Sequence, residues 1–147
     1  MAGNLSVSAD IATSGMRVQA ERLKVIAQNM ANADSISTTP GGEPYRRQVV
    51  SFQNYVDKET GAEMVRVDKI VQDMSQFDKK YDPHHPGADA QGYVSLPNVN
   101  PLIEMMDMKE AQRAYEANMN MMKTARDMNS SVLDICLLYT SDAADDL

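Results

Sequence analysis

The sequence has no Trp, two Phe and one Cys among its 147 residues. Large aromatics bury roughly 150–250 Å² apiece, so any globular core built without them is thin. A lone cysteine, Cys136, excludes an internal disulfide framework. Nowhere does an apolar run approach the roughly 20 residues that a membrane-spanning helix needs. The first 30 residues lack the basic, apolar and small-residue succession of a cleavable secretion signal. A soluble chain is therefore expected, leaving the cytoplasm, if it does, by a route that needs no cleaved signal. With 14 basic against 21 acidic residues, a net charge of −7 and no Lys/Arg cluster, nucleic-acid binding is argued against. The usual marks of catalysis are missing as well: no phosphate-cradling Gly loop, no GxSxG, no HExxH and no CxxC. No catalytic residue and no cofactor is expected.

What the sequence does have is long helices. From Asn98 to about Leu133 no Gly interrupts, and the only Pro is Pro101, which suits a first helical position behind Asn100 as N-cap. Met108, Ala111, Tyr115, Met119, Met122, Ala125 and Val132 recur three and four apart, with Asn118 and Asn129 at the edge. That is the stripe of an amphipathic helix. Such a helix is roughly 50 Å long at 1.5 Å per residue, too long for a domain of this size to wrap alone. Seven of the twelve Met residues fall between Met105 and Met128. Flexible thioethers fill irregular seams and accept more than one partner, which favours an assembly surface over a rigid catalytic core.

Asp10 to Asn32 predicts a second long helix, preceded by a frayed arm over Met1 to Ala9. Ala12, Met16, Ala20, Leu23, Ile26, Ala27 and Met30 form one stripe; Ile11, Val18 and Val25 lie at heptad spacing on a neighbouring face. Either this helix has two neighbours, the C-terminal helix and a helix of an adjacent subunit, or it buries one wide face. Between the helices, Tyr45 to Phe52, Met64 to Val71 and Gly92 to Leu96 are rich in strand formers. Thr60-Gly61 makes a turn, and Phe77 to Tyr81 reads as extended. Arg46-Arg47 predicts one exposed and one half-buried arginine. Asp107, Glu110, Arg113, Glu116, Lys123 and Asp127 read as solvated pairs along one helix, such as Glu110 with Arg113 and Lys123 with Asp127.

The fold class that follows is α+β: two long terminal helices packed as an antiparallel coiled-coil-like pair, bracketing a small β-rich insert. The segments are 1–34 for the N-terminal arm and helix, 35–97 for the insert, 98–135 for the C-terminal helix and 136–147 for a tail. That tail, CLLYTSDAADDL, has neither helix period nor matching composition and resembles a translated sequencing adapter, so it reads as a non-native scar. Removing its three acids takes the charge from −7 to −4.

Only Asp82, His84, His85 and Asp89 have ligand types close enough to suggest a metal, and hence a small metal-dependent hydrolase as the alternative function. Adjacent histidines in an extended loop point apart, and Pro83 and Pro86 mark a turn, so a structural loop is favoured.

The segment from Ser14 to Ser35, SGMRVQAERLKVIAQNMANADS, resembles the N-terminal signature of bacterial flagellar rod and hook axial proteins; Asn29 to Ala33 match its Asn-hydrophobic-Ala-Asn-Ala run. PGGEPYRRQVVSF at Pro40 to Phe52, YDPHHPGADAQGYVSLPNVNP at Tyr81 to Pro101 and EMMDMKEAQRAYEANMNMMKTARDM at Glu104 to Met128 are similar, more narrowly, to basal-body rod proteins of the proximal rod. The resemblance spans nearly all of Ala9 to Ile135. It implies a structural subunit of the basal-body rod, assembled through its terminal helices into the torque-transmitting drive shaft. It further implies a periplasm-spanning location, export by the flagellar type III apparatus without a cleaved signal, and partners among other rod proteins and copies of itself. No direct membrane insertion is implied. Met16, Leu23, Ile26, Met30, Met108, Tyr115, Met119 and Met122 are the residues expected at the subunit interface. The sequence departs from the family at its first nine residues, which lack the aromatic common there, and in its last twelve.

Overall fold

The fold is a computed structural model that describes residues 2–145, with side chains from Gly3 to Tyr139. Helix α1 spans Ala2–Ala31 and α2 spans Pro101–Asp145. Between them lie β1 (Gln48–Val56), β2 (Glu63–Gln72), β3 (Lys79–Tyr81) and β4 (Tyr93–Ser95), making two separate antiparallel pairs, β1 with β2 and β3 with β4. The predicted α+β architecture of paired terminal helices around a small insert is the one found.

Asn100 caps α2 as expected, its Oδ1 accepting the N–H of Leu102 at 3.0 Å and of Ile103 at 3.4 Å. Helix α1 starts earlier than the sequence suggested. The segment read as a frayed arm is helical from Ala2, because Leu5 and Ala9 carry the spacing of Ala12 and Met16 one and two turns further and are half-buried. At the other end, α2 does not stop near Leu133. Neither Pro nor Gly follows Pro101, so no stop signal is present and the helix runs on to Asp145. Its packing does stop: every described side chain from Leu133 to Tyr139 is exposed.

β1 begins at Gln48 rather than Tyr45, since the preceding backbone is engaged elsewhere. The N–H of Tyr45 donates to Ser35 O, that of Arg47 to Asn98 Oδ1, and Arg47 O accepts from Asp73. A register shift between Ser51 and Phe52 bends the β1–β2 hairpin. At its tip Asp57 ties the turn, accepting at one carboxylate oxygen from the N–H and the hydroxyl of Thr60.

The core is thin. Ala12, Val18, Val25, Ile26, Ala111 and Ala125 are the buried apolar residues of the two helices, with Val94 in the insert. Helix α1 has two neighbours within its own chain, α2 and the β1–β2 hairpin. Val18 and Val25 face the hairpin of their own chain, lining cavities with Phe52, Val65, Val49 and Val50. Ile11, Ala20 and Ala27 are exposed. Among the described residues no helix is long and apolar enough to cross a membrane.

Candidate assembly interface

The two helices run antiparallel in a fixed register. Thr13 meets Met122, with Oγ1 to Sδ at 3.7 Å, and Arg22 reaches Glu110 at 3.2 Å and Asp107 at 3.8 Å. Asp107 and Glu110 thus pair across the seam with α1, correcting the expectation of pairs along α2 itself. Gly15 lies where α1 passes close to Asn118 of α2. A Cβ built there would lie 2.8–3.0 Å from the side-chain amide of Asn118. A side chain at Gly15 would force the Asn118 amide to turn aside, which gives this glycine a physical role.

The predicted interface residues fall along this seam. Ile26 is buried; Met16, Leu23, Met30, Met108, Tyr115, Met119 and Met122 are half-buried. Each of these seven has part of its apolar surface covered within the chain and part left over, whereas Ile26 has almost none left. The first two turns of α2 also leave Leu102, Ile103, Met105 and Met106 at 47–67% exposure. Met121, Met128, Leu133 and Ile135 extend the exposed apolar surface along the same helix.

One end of the seam is built differently. Glu104 is 0% exposed and Asn29 1%, although neither is apolar. Burying such groups is tolerable only when they are bonded, and here they are. Asn29 Nδ2 donates to Glu104 Oε2 at 3.1 Å and to Gln48 O at 2.8 Å. Asn29 Oδ1 accepts the Tyr45 hydroxyl and the Gln48 N–H, both at 2.9 Å. Arg47 Nε donates to Glu104 Oε1, while its terminal nitrogens reach Asp107 Oδ2 at 3.2 Å and Asp73 Oδ2 at 3.7 Å. Burial raises the Tyr45 phenol above its ordinary range, helped by the charge of Glu104. Burial works the other way on Arg47, but its bond to Glu104 and the charges of Glu104, Asp107 and Asp73 outweigh that and hold the guanidinium above its usual value.

Sequence reading missed this cluster. The signal was present: Glu104 lies seven residues before Ala111, in phase with Asn118, Ala125 and Val132, so the stripe traced backwards puts a carboxylate in the seam. Arg46 and Arg47 are both half-buried, not one exposed and one half-buried. Arg46 lies over the Phe77 ring at 4.2 Å and donates to Asp73 O and Ser75 O.

Asp82, His84, His85 and Asp89 do not converge. Asp89 Oδ1 accepts the N–H groups of Gln91 and Tyr93, both at 2.9 Å, closing the turn into β4. His85 Nδ1 accepts the Gly87 N–H at 3.0 Å. Gly87 is buried against the Ser37 carbonyl, where any Cβ would collide with it. Among the described residues no group of three or more His, Cys, Asp or Glu is placed to hold a metal ion. The loop ties the insert together, and these four residues do not form the site that the metal-hydrolase alternative rested on.

Two kinds of likeness bear on this arrangement. Residues 90–135 match the family model described as flagellar basal body rod FlgEFG protein, C-terminal, a span that takes in the β4 loop and α2 up to Ile135. Over 89% of this chain, and 94% of the relative, the sequence is 46% identical to flagellar basal-body rod protein FlgC of Agrobacterium fabrum. The chain belongs to the FlgC family of flagellar basal-body rod proteins. Similarity extends to the FlgC of Borreliella burgdorferi, 41% identical over 87% of this chain and 95% of the relative. That of Salmonella typhimurium is 40% identical over 86% of this chain and 93% of the relative. For a FlgC chain, the thin core, half-covered methionine seam and exposed apolar turns of α2 are understandable as surface held in reserve for neighbours.

Proposed function

We propose that this chain is a non-enzymatic structural subunit of the proximal rod, built into the torque-transmitting shaft through its paired terminal helices. It would act among other rod proteins and copies of itself, after export by the flagellar apparatus without a cleaved signal. The observation that carries the reading is the apolar surface that α1 and α2 leave uncovered. Met16, Leu23, Met30, Met108, Tyr115, Met119 and Met122 are half-exposed and form the proposed subunit-facing set, whereas Ile26, also expected there, is covered within its own chain. Leu102 and Met106, at 67% and 65% exposure, continue that surface. A free-standing domain gains little from so much exposed hydrocarbon, whereas a subunit packed on several sides buries it.

The test is complementation of a strain lacking its own rod gene of this family, scored by swimming and by basal bodies recovered from the envelope. The full chain should restore both. Leu102→Asp with Met106→Asp should leave the isolated fold intact and abolish assembly. Normal rods from that double variant and from Met119→Asp would refute the interface.

A further inference from the structure

The apolar part of the helix seam is degenerate. On α2 the rows Met108, Tyr115, Met122, Asn129 and Ala111, Asn118, Ala125, Val132 repeat every seven residues. On α1 the row Met16, Leu23, Met30 does the same. Sliding α2 by one heptad therefore lays each row on a similar one, apolar but for Asn118 and Asn129, and methionines adapt to either packing. Chain connectivity opposes such a slide only weakly. The first two turns of α2 carry Leu102, Ile103, Met105 and Met106, all at 47% exposure or more, so they can unwind into the linker and lengthen it.

We propose that the Asn29–Arg47–Glu104 cluster is the device that sets the register of this seam. Asn29 fixes the base of the hairpin on α1 through both backbone groups of Gln48. Arg47 then projects from that base, and α2 presents Glu104 and Asp107 to it. After a slide of seven, Ala111 and Ala114 would stand where Glu104 and Asp107 stand now, leaving Arg47 and Asn29 Nδ2 without their partners on α2. A half-satisfied buried polar group is costly, whereas the apolar rows hardly distinguish the two positions. Buried polar groups elsewhere specify register in this way at some expense of stability.

A short bifunctional thiol crosslinker on the purified full chain, with Cys136→Ser to remove its one thiol, reads the register. Thr13→Cys with Met122→Cys reports the observed alignment; Thr13→Cys with Asn129→Cys reports the slipped one. The unmodified cluster should favour the first pair by about tenfold or more. Arg47→Met with Glu104→Leu makes the cluster apolar while Asn29 keeps Gln48 and Tyr45, and Asp73 and Asp107 remain open to water. That variant should keep its helical circular dichroism and bring the two crosslinking rates to within about threefold. Retention of the original preference in a folded double variant overturns the proposal. Should that variant lose helicity, Glu104→Met decides in the same way: a raised 13–129 product supports the device, an unchanged one overturns it. Loss of helicity in both also overturns it, because a register device on an apolar seam is dispensable for forming the helices.

Discussion

The two ends of the helix seam solve the same packing problem with opposite chemistry. Near the insert, α1 and α2 are joined by a carboxylate, an amide and a guanidinium, with Glu104 and Asn29 buried and fully bonded. Further along, around Thr13, Met119 and Met122, the contact is apolar, methionine-rich and half-exposed. Directional bonds make the first end unforgiving of displacement. Undirected thioether contacts make the second adaptable and leave hydrocarbon for neighbours. A subunit that must hold one shape while meeting several partners is served by dividing the work in this way.

The sharpest way to break the contrast is Glu104→Ala. The substitution strands Arg47 and one donor of Asn29 beside a new cavity, and breaking a buried pair on one side costs about 3–5 kcal/mol. Chemical unfolding of the full chain should show a loss of that order, with hairpin and helices failing together. A loss below about 0.5 kcal/mol would place Glu104 among ordinary surface positions.

At the apolar end, Leu23→Asp or Met122→Asp puts a charge into a seam that is only half-covered. Because each position retains some access to water, the expected cost is smaller, about 1–3 kcal/mol. Lys109, exposed on α2, serves as the control, and Lys109→Asp should stay within about 0.5 kcal/mol. Equal damage at all three would mean that the stripe does not define the seam.

The stripe was legible because α-helical periodicity is a local property. Ala111 and Ala125 are buried, and Met108, Tyr115, Met119 and Met122 half-buried, on the face their spacing predicted. The polar end was not legible in the same way. Its bonds join positions 16 to 75 residues apart, Asn29 to Tyr45 and Gln48 and, through Glu104, to Arg47, and only the fold brings them together. Scanning for apolar residues also passes over a buried carboxylate by construction. The start of α1 and the end of α2 were misjudged for a related reason: composition there is weak, and what decides is the presence of a neighbour for Leu5 or the absence of a helix stop after Ile135.

Gly15 sharpens the comparison from the side of shape. Gly15→Ala would push a methyl group into the Asn118 amide, and crowding of a close helix contact costs about 1–3 kcal/mol. Because that amide ends a short side chain able to turn aside, the low end of the range is expected. Asn118→Ala should relieve it, so a double-mutant cycle on unfolding free energy ought to give a clear coupling. Simple additivity of the two changes would show that the helices do not meet there.

The smallest effect belongs to acid. The N–H of Ser75 holds the Asp73 carboxyl below its ordinary range, assisted by the charge of Arg47, and the N–H of Tyr93 does the same for Asp89, assisted by Gln91 and Lys79. A carboxylate lowered in the folded state contributes stability above its unfolded value, and that contribution is lost as pH falls through the folded value. The window therefore opens at about pH 4 and extends downward, leaving neutral conditions untouched. Both groups sit in local turns and keep part of their surface in water, so the loosening should be confined to the turns they close, at Ser75 and at Gln91 to Tyr93. Amide exchange followed from pH 5 to pH 2.5 should quicken there first. Asp89→Asn, which keeps an acceptor but cannot titrate, should flatten the response at Gln91 and Tyr93 only. If those amides quicken equally in the Asn variant, the acid response comes from elsewhere, and the turn carboxylates do not govern it.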